Sequence, residues 1–545
     1  MPDSRRLVLL TLAAFTLFSY GLGVGTLWDE DEARYAQVAV DMVATGDPFT
    51  LRIDGRPWFD KPPLYMWLQA ATGRLVGFSE FTARVWSAVS GATSVAATFL
   101  IAQRLYGSRT ALIAAAMLAT TMEFFVLSRV AVLDALLVAF MLLTLHMALV
   151  GQDAGDAASA RRAYGWALVW AGCATAAKTP IGLVFPATVV TLLWLIRGEG
   201  RRWREIPLWG VALYAIIGLN WYAVETVRFG VTFLHAALGS NVVGRIYRVV
   251  DEQPGPWWYY APLLMAGTFP WTAFVPSAIV YHLRRRRDRG SQVILLWVGV
   301  VLLIYSIAAT KLPNYILPVY PLLAIGIARL CVDALEAASA DAPRLMRWAF
   351  RLLGITVAIF TGLTGVYGLI RYPAEFAGLR VPLLVIAAVL AAFPLAAVVL
   401  YYRGRPVPAL VALMLMLPVA TPVLVHHALP AVEHHRPMPR IARFVRQSLG
   451  PDDVLGAVGL RKSPSLRYYS QRPVVWIDNQ TELRDAVCRF DRLVLVVPEG
   501  AYREWAASIL PSSARTQWQD SGHRVVRKDT AGPCAASGLV TPKGP

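Results

Sequence analysis

The chain has 545 residues, 56% of them hydrophobic and only 16% charged, with a formal net charge of +17. Soluble proteins are nearer a quarter charged, so this composition excludes an ordinary string of soluble domains. The basic residues are arginines grouped in short stretches between long apolar blocks, which marks cytoplasmic loops and excludes a nucleic-acid-binding surface.

The chain opens on Arg5 and Arg6 and an apolar run over 7–27. No small-residue cleavage site follows, so the run reads as a retained first span rather than a removed signal. Further apolar blocks lie over 81–103, 109–127, 131–150, 163–177, 180–197, 207–227, 257–281, 291–309, 313–332, 348–370, 381–401 and 407–429. Their lengths, near the roughly 20 residues a bilayer needs, predict about 13 spans. With the N-terminus inside, Arg161 and Arg162, "RGEGRRWR" (197–204), "RRRRDR" (284–289) and "YYRGR" (401–405) all fall on the cytoplasmic side. Two sizeable loops, 28–80 and 228–256, and the tail then lie outside. In the tail, "DVLGAV" and "RLVLVV" read as buried strands, and "TELRDAVCRF" and "AYREWAASIL" as short helices. The predicted fold is an all-α polytopic membrane domain over 1–429, followed by a small extracytoplasmic α/β domain over 430–545. Cys173 and Cys331 lie in or near spans and read as packing residues. Cys488 and Cys534 share the outer tail, where a disulfide persists if formed; the sequence leaves their pairing open.

The first outer loop begins "LWDEDEARYA" (27–36), the densest run of acids in the chain. Tyr35, Val38, Ala39, Met42 and Val43 then repeat at helical spacing, and Gly46 ends the helix. Asp29 with Glu32 makes a capping-box pattern. That explains Asp29 and leaves Asp31 and Glu30 over, although acids in a first helical turn are mildly favourable anyway.

The membrane portion has three lysines, Lys61, Lys178 and Lys311, all on the predicted outer side and each followed within two residues by proline. Interfacial snorkelling is the plain explanation. It does not say why an arginine-rich protein keeps lysine for one face. A phosphate site does, because ammonium groups at broken helix ends neutralise anions. Asp134, in "SRVAVLDALL", opens the fourth span at its outer end. A charge at that depth is functional by default, with a structural pair to Arg129 as the competing reading. Glu123 and Arg84 carry weaker versions of the same signal. Carboxylates and cations thus gather outside, which suits transfer from a phosphate-linked donor: cations hold the leaving phosphate and a carboxylate orients or deprotonates the acceptor. His426, His427, His434 and His435 with Glu433 form one further cluster, readable as a zinc site or as a wet interfacial segment.

"DEARYA", "DKPPLYMW", "VLDALL", "KTPIGL", "PWWYYAPLLMAGTFPWT" and "KLPNYILP" occur in that order. This ordered set resembles the GT-C membrane glycosyltransferases of the protein mannosyltransferase and aminoarabinose transferase superfamily over about residues 1–330. The lipid A 4-amino-4-deoxy-L-arabinose transferases are the branch it most resembles. The resemblance implies two juxtamembrane helices in the first outer loop and a polyprenyl-phosphate sugar as donor. It also implies lipid A as acceptor, and an active site on the periplasmic face of a bacterial inner membrane. It assigns Asp31 and Asp134 as catalytic and Lys61 as a contact to the carrier phosphate. Arg34, Lys178, Lys311 and Tyr315 join Lys61 as expected donor-phosphate residues. Relatives often carry Glu-Lys-Pro where this chain has Asp60-Lys61-Pro62. A divalent metal is left open, with Asp60 and His235 as its candidate ligands.

Two other readings stand beside this one. Transfer to protein Ser or Thr hydroxyls is the alternative within the enzyme class. A flippase for lipid-linked sugars is the alternative outside it. Transporters place charged sites near the bilayer midplane, whereas the charges here gather at one face.

Overall fold

The computed structural model describes residues 3–250, 252–370, 377–460, 463–520 and 522–529. Every expected apolar block is helical. In chain order the helices are α1 (Asp3–Ser19), α2 (Asp31–Thr45), α3 (Leu64–Val76), α4 (Glu80–Tyr106), α5 (Ser108–Ala119), α6 (Met122–Leu127), α7 (Asp134–Gln152), α8 (Ala157–Ala177) and α9 (Ile181–Ile196). There follow α10 (Leu208–Gly218), α11 (Asn220–Phe229), α12 (Val231–Leu234), α13 (Arg245–Tyr247), α14 (Tyr260–Gly267), α15 (Val275–Arg284) and α16 (Arg289–Ile307). The last of this series are α17 (Val319–Leu335), α18 (Ala342–Ile370), α19 (Ala377–Tyr402), α20 (Pro406–Val423) and α21 (Leu429–Glu433).

Among the described residues, six helices are long and apolar enough to cross a membrane, and eight if each sharply bent helix pair counts as one span. The sequence predicted about 13 apolar spans. The difference lies largely in length: α1, α5, α9 and α17 have 17, 12, 16 and 17 residues, and α5 is short because the chain turns at Thr120 inside its block. As the resemblance implied, the first outer loop holds two helices, α2 and α3.

By contacts the chain divides into two units. One comprises Met1–Val24, Ala39–Leu51 and Pro57–Pro430; the other comprises Gly25–Val38, Arg52–Arg56 and Ala431–Pro545. The sequence boundary at 429/430 therefore leaves out two pieces of the first outer loop that group with the tail.

In the first unit, small residues let helices approach closely, as membrane helices require when water no longer drives them together. Between α8 and α10, a Cβ added at Gly210 would lie 2.8 Å from the Gly165 Cα, and one at Gly218 would lie 3.1 Å from the Gly172 Cα. The arginine runs meet acids at one end of this unit. Asp341 accepts from Arg284 at 3.2 Å and Arg285 at 2.7 Å, and Asp153 accepts from both Arg104 and Arg289.

In the second unit the tail folds as a five-stranded sheet. Its strands are β3 (Val454–Val458), β4 (Val474–Ile477), β5 (Leu493–Pro498), β6 (Arg515–Asp520) and β7 (His523–Lys528). A short hairpin, β1 (Arg52–Ile53) and β2 (Arg56–Pro57), lies earlier in the chain. The sheet order is β4-β3-β5-β7-β6, with β4, β3 and β5 parallel and β7 antiparallel to both neighbours. Helices α22 (Pro437–Ser448), α23 (Pro464–Ser470) and α24 (Gln480–Arg489) connect or cover it. The strands β3 and β5 and helix α24 match the sequence reading. Strands β6 and β7 escaped it because "RTQWQD" and "HRVVRK" are polar. Cys488 is disulfide-bonded, and Cys173 and Cys331 are free. The expected partner, Cys534, lies outside the described residues.

Candidate active site

Three helix junctions of the first unit, two of them broken by proline, bring polar groups together. Asp134 is the first residue of α7 and is 4% exposed. Lys178 ends α8, and Pro180 starts α9. Asn314 and Tyr315 sit in the 3-10 turn Pro313–Ile316 between α16 and α17. Lys178 Nζ donates to Asp134 Oδ1 at 2.5 Å, and Asn314 Nδ2 donates to Oδ2 at 2.8 Å. The Lys178 ammonium lies 5.2 Å from the Tyr315 ring centroid. Tyr315 stacks on Tyr305 at 4.7 Å, and its hydroxyl accepts from Arg245 at 3.4 Å. Both oxygens of a buried carboxylate are thus engaged, and the lysine has a charge partner and an aromatic face.

These contacts settle two competing readings. Lys178 is 8% exposed, so it does not snorkel. Arg129 does not pair with Asp134. It donates to the carbonyls of Leu17, Phe18 and Tyr20 at the end of α1. Arg84 does the same for Leu22 and Val24, and Glu123 accepts from the Tyr320 hydroxyl.

Lys311 departs from its expected role. It is 3% exposed, and its Nζ donates to the carbonyls of Tyr305, Ser306 and Ala308 at 2.8, 2.6 and 2.6 Å. An ammonium has three protons, and all three close the last turn of α16, leaving none for a phosphate. Burial lowers the Lys311 pKa below the ordinary lysine value.

Elsewhere in this unit the first outer loop is pinned by charge. Arg228 donates to both oxygens of Asp47 at 3.0 Å, and the Phe49 and Thr50 amides donate to its Oδ1. Partial burial opposes the charged form, but these bonds outweigh it and hold Asp47 below the usual carboxylate range. Lys61 is half-buried just before Pro62 and Pro63, where α3 begins. Asp60 accepts from Asn241 at 2.9 Å, and His235 is exposed. Among the described residues no group of three or more His, Cys, Asp or Glu side chains lies where it could hold a metal ion. Asp60 and His235 therefore belong to no such group. Nor do the four histidines form one: His426 pairs with the Tyr20 hydroxyl, and Glu433 is taken by Thr26 and Arg436.

Asp31 and Arg34 belong to the second unit. Asp31 opens α2 and is exposed, Arg34 is half-buried, and neither side chain has a partner among the described residues. The expected capping box is not formed. Asp29 Oδ1 accepts from the Ser465 amide at 2.9 Å, and Glu32 Oε2 accepts from the Trp28 amide at 2.9 Å. The reason is local: Glu30 is left-handed at φ 71°, so the helix starts two residues after Asp29. Sequence reasoning also missed Asn314 and Arg245. Asn314 lay inside a quoted motif, whereas nothing distinguished Arg245 from its neighbours in the second outer loop.

The dolichyl-phosphate-mannose-protein mannosyltransferase family matches residues 60–222. The undecaprenyl phosphate-alpha-4-amino-4-deoxy-L-arabinose arabinosyl transferase of Erwinia tasmaniensis is 28% identical over 381 residues, 68% of each chain. A second such transferase, from Pseudomonas fluorescens, is 30% identical over 370 residues, 65% of each. Among solved structures, ArnT from Cupriavidus metallidurans bound to undecaprenyl phosphate superposes over the full length of both chains, with a TM-score of 0.83 at 23% identity. The archaeal oligosaccharyltransferase AglB from Archaeoglobus fulgidus shares the fold more distantly, with a TM-score of 0.51 at 12% identity over 92% of this chain and 69% of its own. The chain is a multi-pass membrane glycosyltransferase of the GT-C fold, which sets the flippase reading aside. Within that class it is similar, in sequence and in fold, to aminoarabinose transferases.

Proposed function

We propose that this enzyme moves an aminoarabinose-type sugar from undecaprenyl phosphate to lipid A on the periplasmic face of a bacterial inner membrane. The observation that best supports the reading is the buried Lys178–Asp134–Asn314 cluster at three helix junctions, two of them broken by proline. A buried charge pair is costly to hold, and this one fixes the helix ends that carry Asn314 and Tyr315. The likeness to transferases that use an undecaprenyl-phosphate donor supplies the substrate class.

In the reaction the anomeric carbon–oxygen bond to the carrier phosphate breaks, and the phosphate leaves with the electron pair. The acceptor oxygen bonds the same carbon from the opposite face. Lys61 neutralises the departing phosphate, so no strong general acid is needed. Asp31 orients the acceptor and takes its proton where the acceptor is a hydroxyl. Asp134 and Lys178 act as a pair that fixes the junctions bearing Asn314 and Tyr315.

Mass spectrometry of lipid A from cells with and without the chain tests this directly. A sugar-sized mass gain that needs the chain is expected. Unmodified lipid A together with newly glycosylated protein would move the acceptor to Ser or Thr. The side assignment is tested separately. A reporter that works only outside the cytoplasm should be active when fused after residue 440 and silent after residue 288.

A further inference from the structure

In the second unit, tail residues hold the short stretch of first-loop chain just before Asp31 through the polar groups of Thr26 and Leu27 and the Asp29 carboxylate. The Thr26 amide donates to Glu433 Oε1 at 3.0 Å and its hydroxyl to Oε2 at 2.7 Å. Arg436 Nη1 donates to the Thr26 carbonyl at 2.9 Å and to its hydroxyl oxygen at 2.7 Å, and Nη2 to the Leu27 carbonyl at 2.6 Å. The Leu27 amide donates to the Tyr469 hydroxyl at 2.7 Å. The Arg436 guanidinium also lies 4.4 Å from the Trp28 ring centroid, and the Ser465 amide donates to Asp29 Oδ1. Thr26 and Leu27 are 5% and 0% exposed, so these bonds are shielded from water. The turn they fix ends in the left-handed Glu30, a conformation that persists only where the surroundings over-determine it.

A planar fork that reaches two successive carbonyls specifies backbone direction as well as position. We propose that Arg436 and Glu433 are positioning residues for the transfer reaction. They lock the turn at residues 26–30 so that Asp31 and Arg34 are presented in one fixed geometry. The tail then serves as a clamp on the catalytic loop. This inference rests on the reading of Asp31 as the residue that handles the acceptor.

The test uses the full-length protein in detergent. Arg436→Gln should raise hydrogen exchange across residues 26–34 at least about tenfold, because local opening becomes cheaper. It should lower kcat about 10- to 100-fold, the scale of a small misplacement of a reacting group, with the donor KM within about twofold. Glu433→Gln, which keeps an acceptor for Thr26, should recover most of the transfer lost in Glu433→Ala. In an Asp31→Asn background, Arg436→Gln should cost almost nothing more, since both act through one group. Unchanged exchange over 26–34 in folded Arg436→Gln and Glu433→Ala would overturn the clamp. Losses that multiply in the double variant would show that Arg436 does not act through Asp31 and would overturn the proposal. Failure of the Asp31 reading shows separately, as near-normal transfer by Asp31→Asn alone, and would overturn the catalytic part of the inference.

Discussion

Asp134 and Asp31 are the two acids the motifs single out, and the protein treats them in opposite ways. Asp134 is 4% exposed, with one oxygen on a lysine and the other on an asparagine. Asp31 is exposed at the first turn of a helix, and its carboxylate has no partner among the described residues. A carboxylate with both oxygens committed is suited to hold structure. One whose backbone is held while its side chain is free is suited to meet a substrate. On this contrast we propose that Asp134 serves the scaffold and Asp31 the chemistry.

The largest expected effect comes from breaking the scaffold pair. Lys178→Met leaves the Asp134 charge buried and uncompensated, which typically costs about 3–5 kcal/mol. A thermal melt should show a clear loss of stability; an unchanged melt would mean that the pair is not structural. Lys61→Ala should act on binding instead. Losing a charge-assisted contact to the carrier phosphate costs roughly 1.5–3 kcal/mol, or about 10- to 150-fold in affinity for undecaprenyl phosphate. Unchanged affinity in a folded variant would remove Lys61 from the phosphate site.

Lys311 sharpens the contrast among the lysines. Lys311→Met should destabilise the protein by about 1–3 kcal/mol through its unpaired carbonyls, with donor affinity unaltered. A loss of donor affinity without loss of stability would return Lys311 to the site. Smaller again is the acid dependence of the Asp47–Arg228 contact. The folded pKa of Asp47 is lowered, so its stabilisation is present above the unfolded carboxylate value and is lost as pH falls through the folded one. Denaturation followed from pH 7 to pH 3 should show a shallower acid limb in Asp47→Asn than in the parent. Asp29→Asn should be smallest of all, since the amide oxygen can still accept from the Ser465 amide.

What the sequence disclosed divides along the same line. The apolar blocks, the proline after each lysine and the acid at the head of α7 are local signals, and each led to a helix, a helix break or a buried charge. Partners were illegible, because they depend on chain brought from far away. Asp29 looked like a helix cap, yet its oxygen meets Ser465, more than 400 residues on. Arg129 looked like the mate of Asp134, yet it closes the end of α1. Lys311 looked like its two fellow lysines, but only packing shows that its protons are spent on carbonyls. The capture of residues 25–38 by the tail unit had no sequence signal, since neither Thr26 nor Arg436 stands out in its surroundings.

The most direct test places Asp31→Asn beside Asp134→Asn. Single-turnover sugar transfer would be measured in detergent, with undecaprenyl-phosphate binding and thermal melting on the same samples. The account predicts that Asp31→Asn keeps its donor affinity and its melt and loses at least about 100-fold in transfer, the lower end for losing an acid–base group. Asp134→Asn should lower the melt as well as the rate. Near-normal transfer by Asp31→Asn, or a selective catalytic loss in Asp134→Asn with stability intact, would contradict the division between reagent and scaffold.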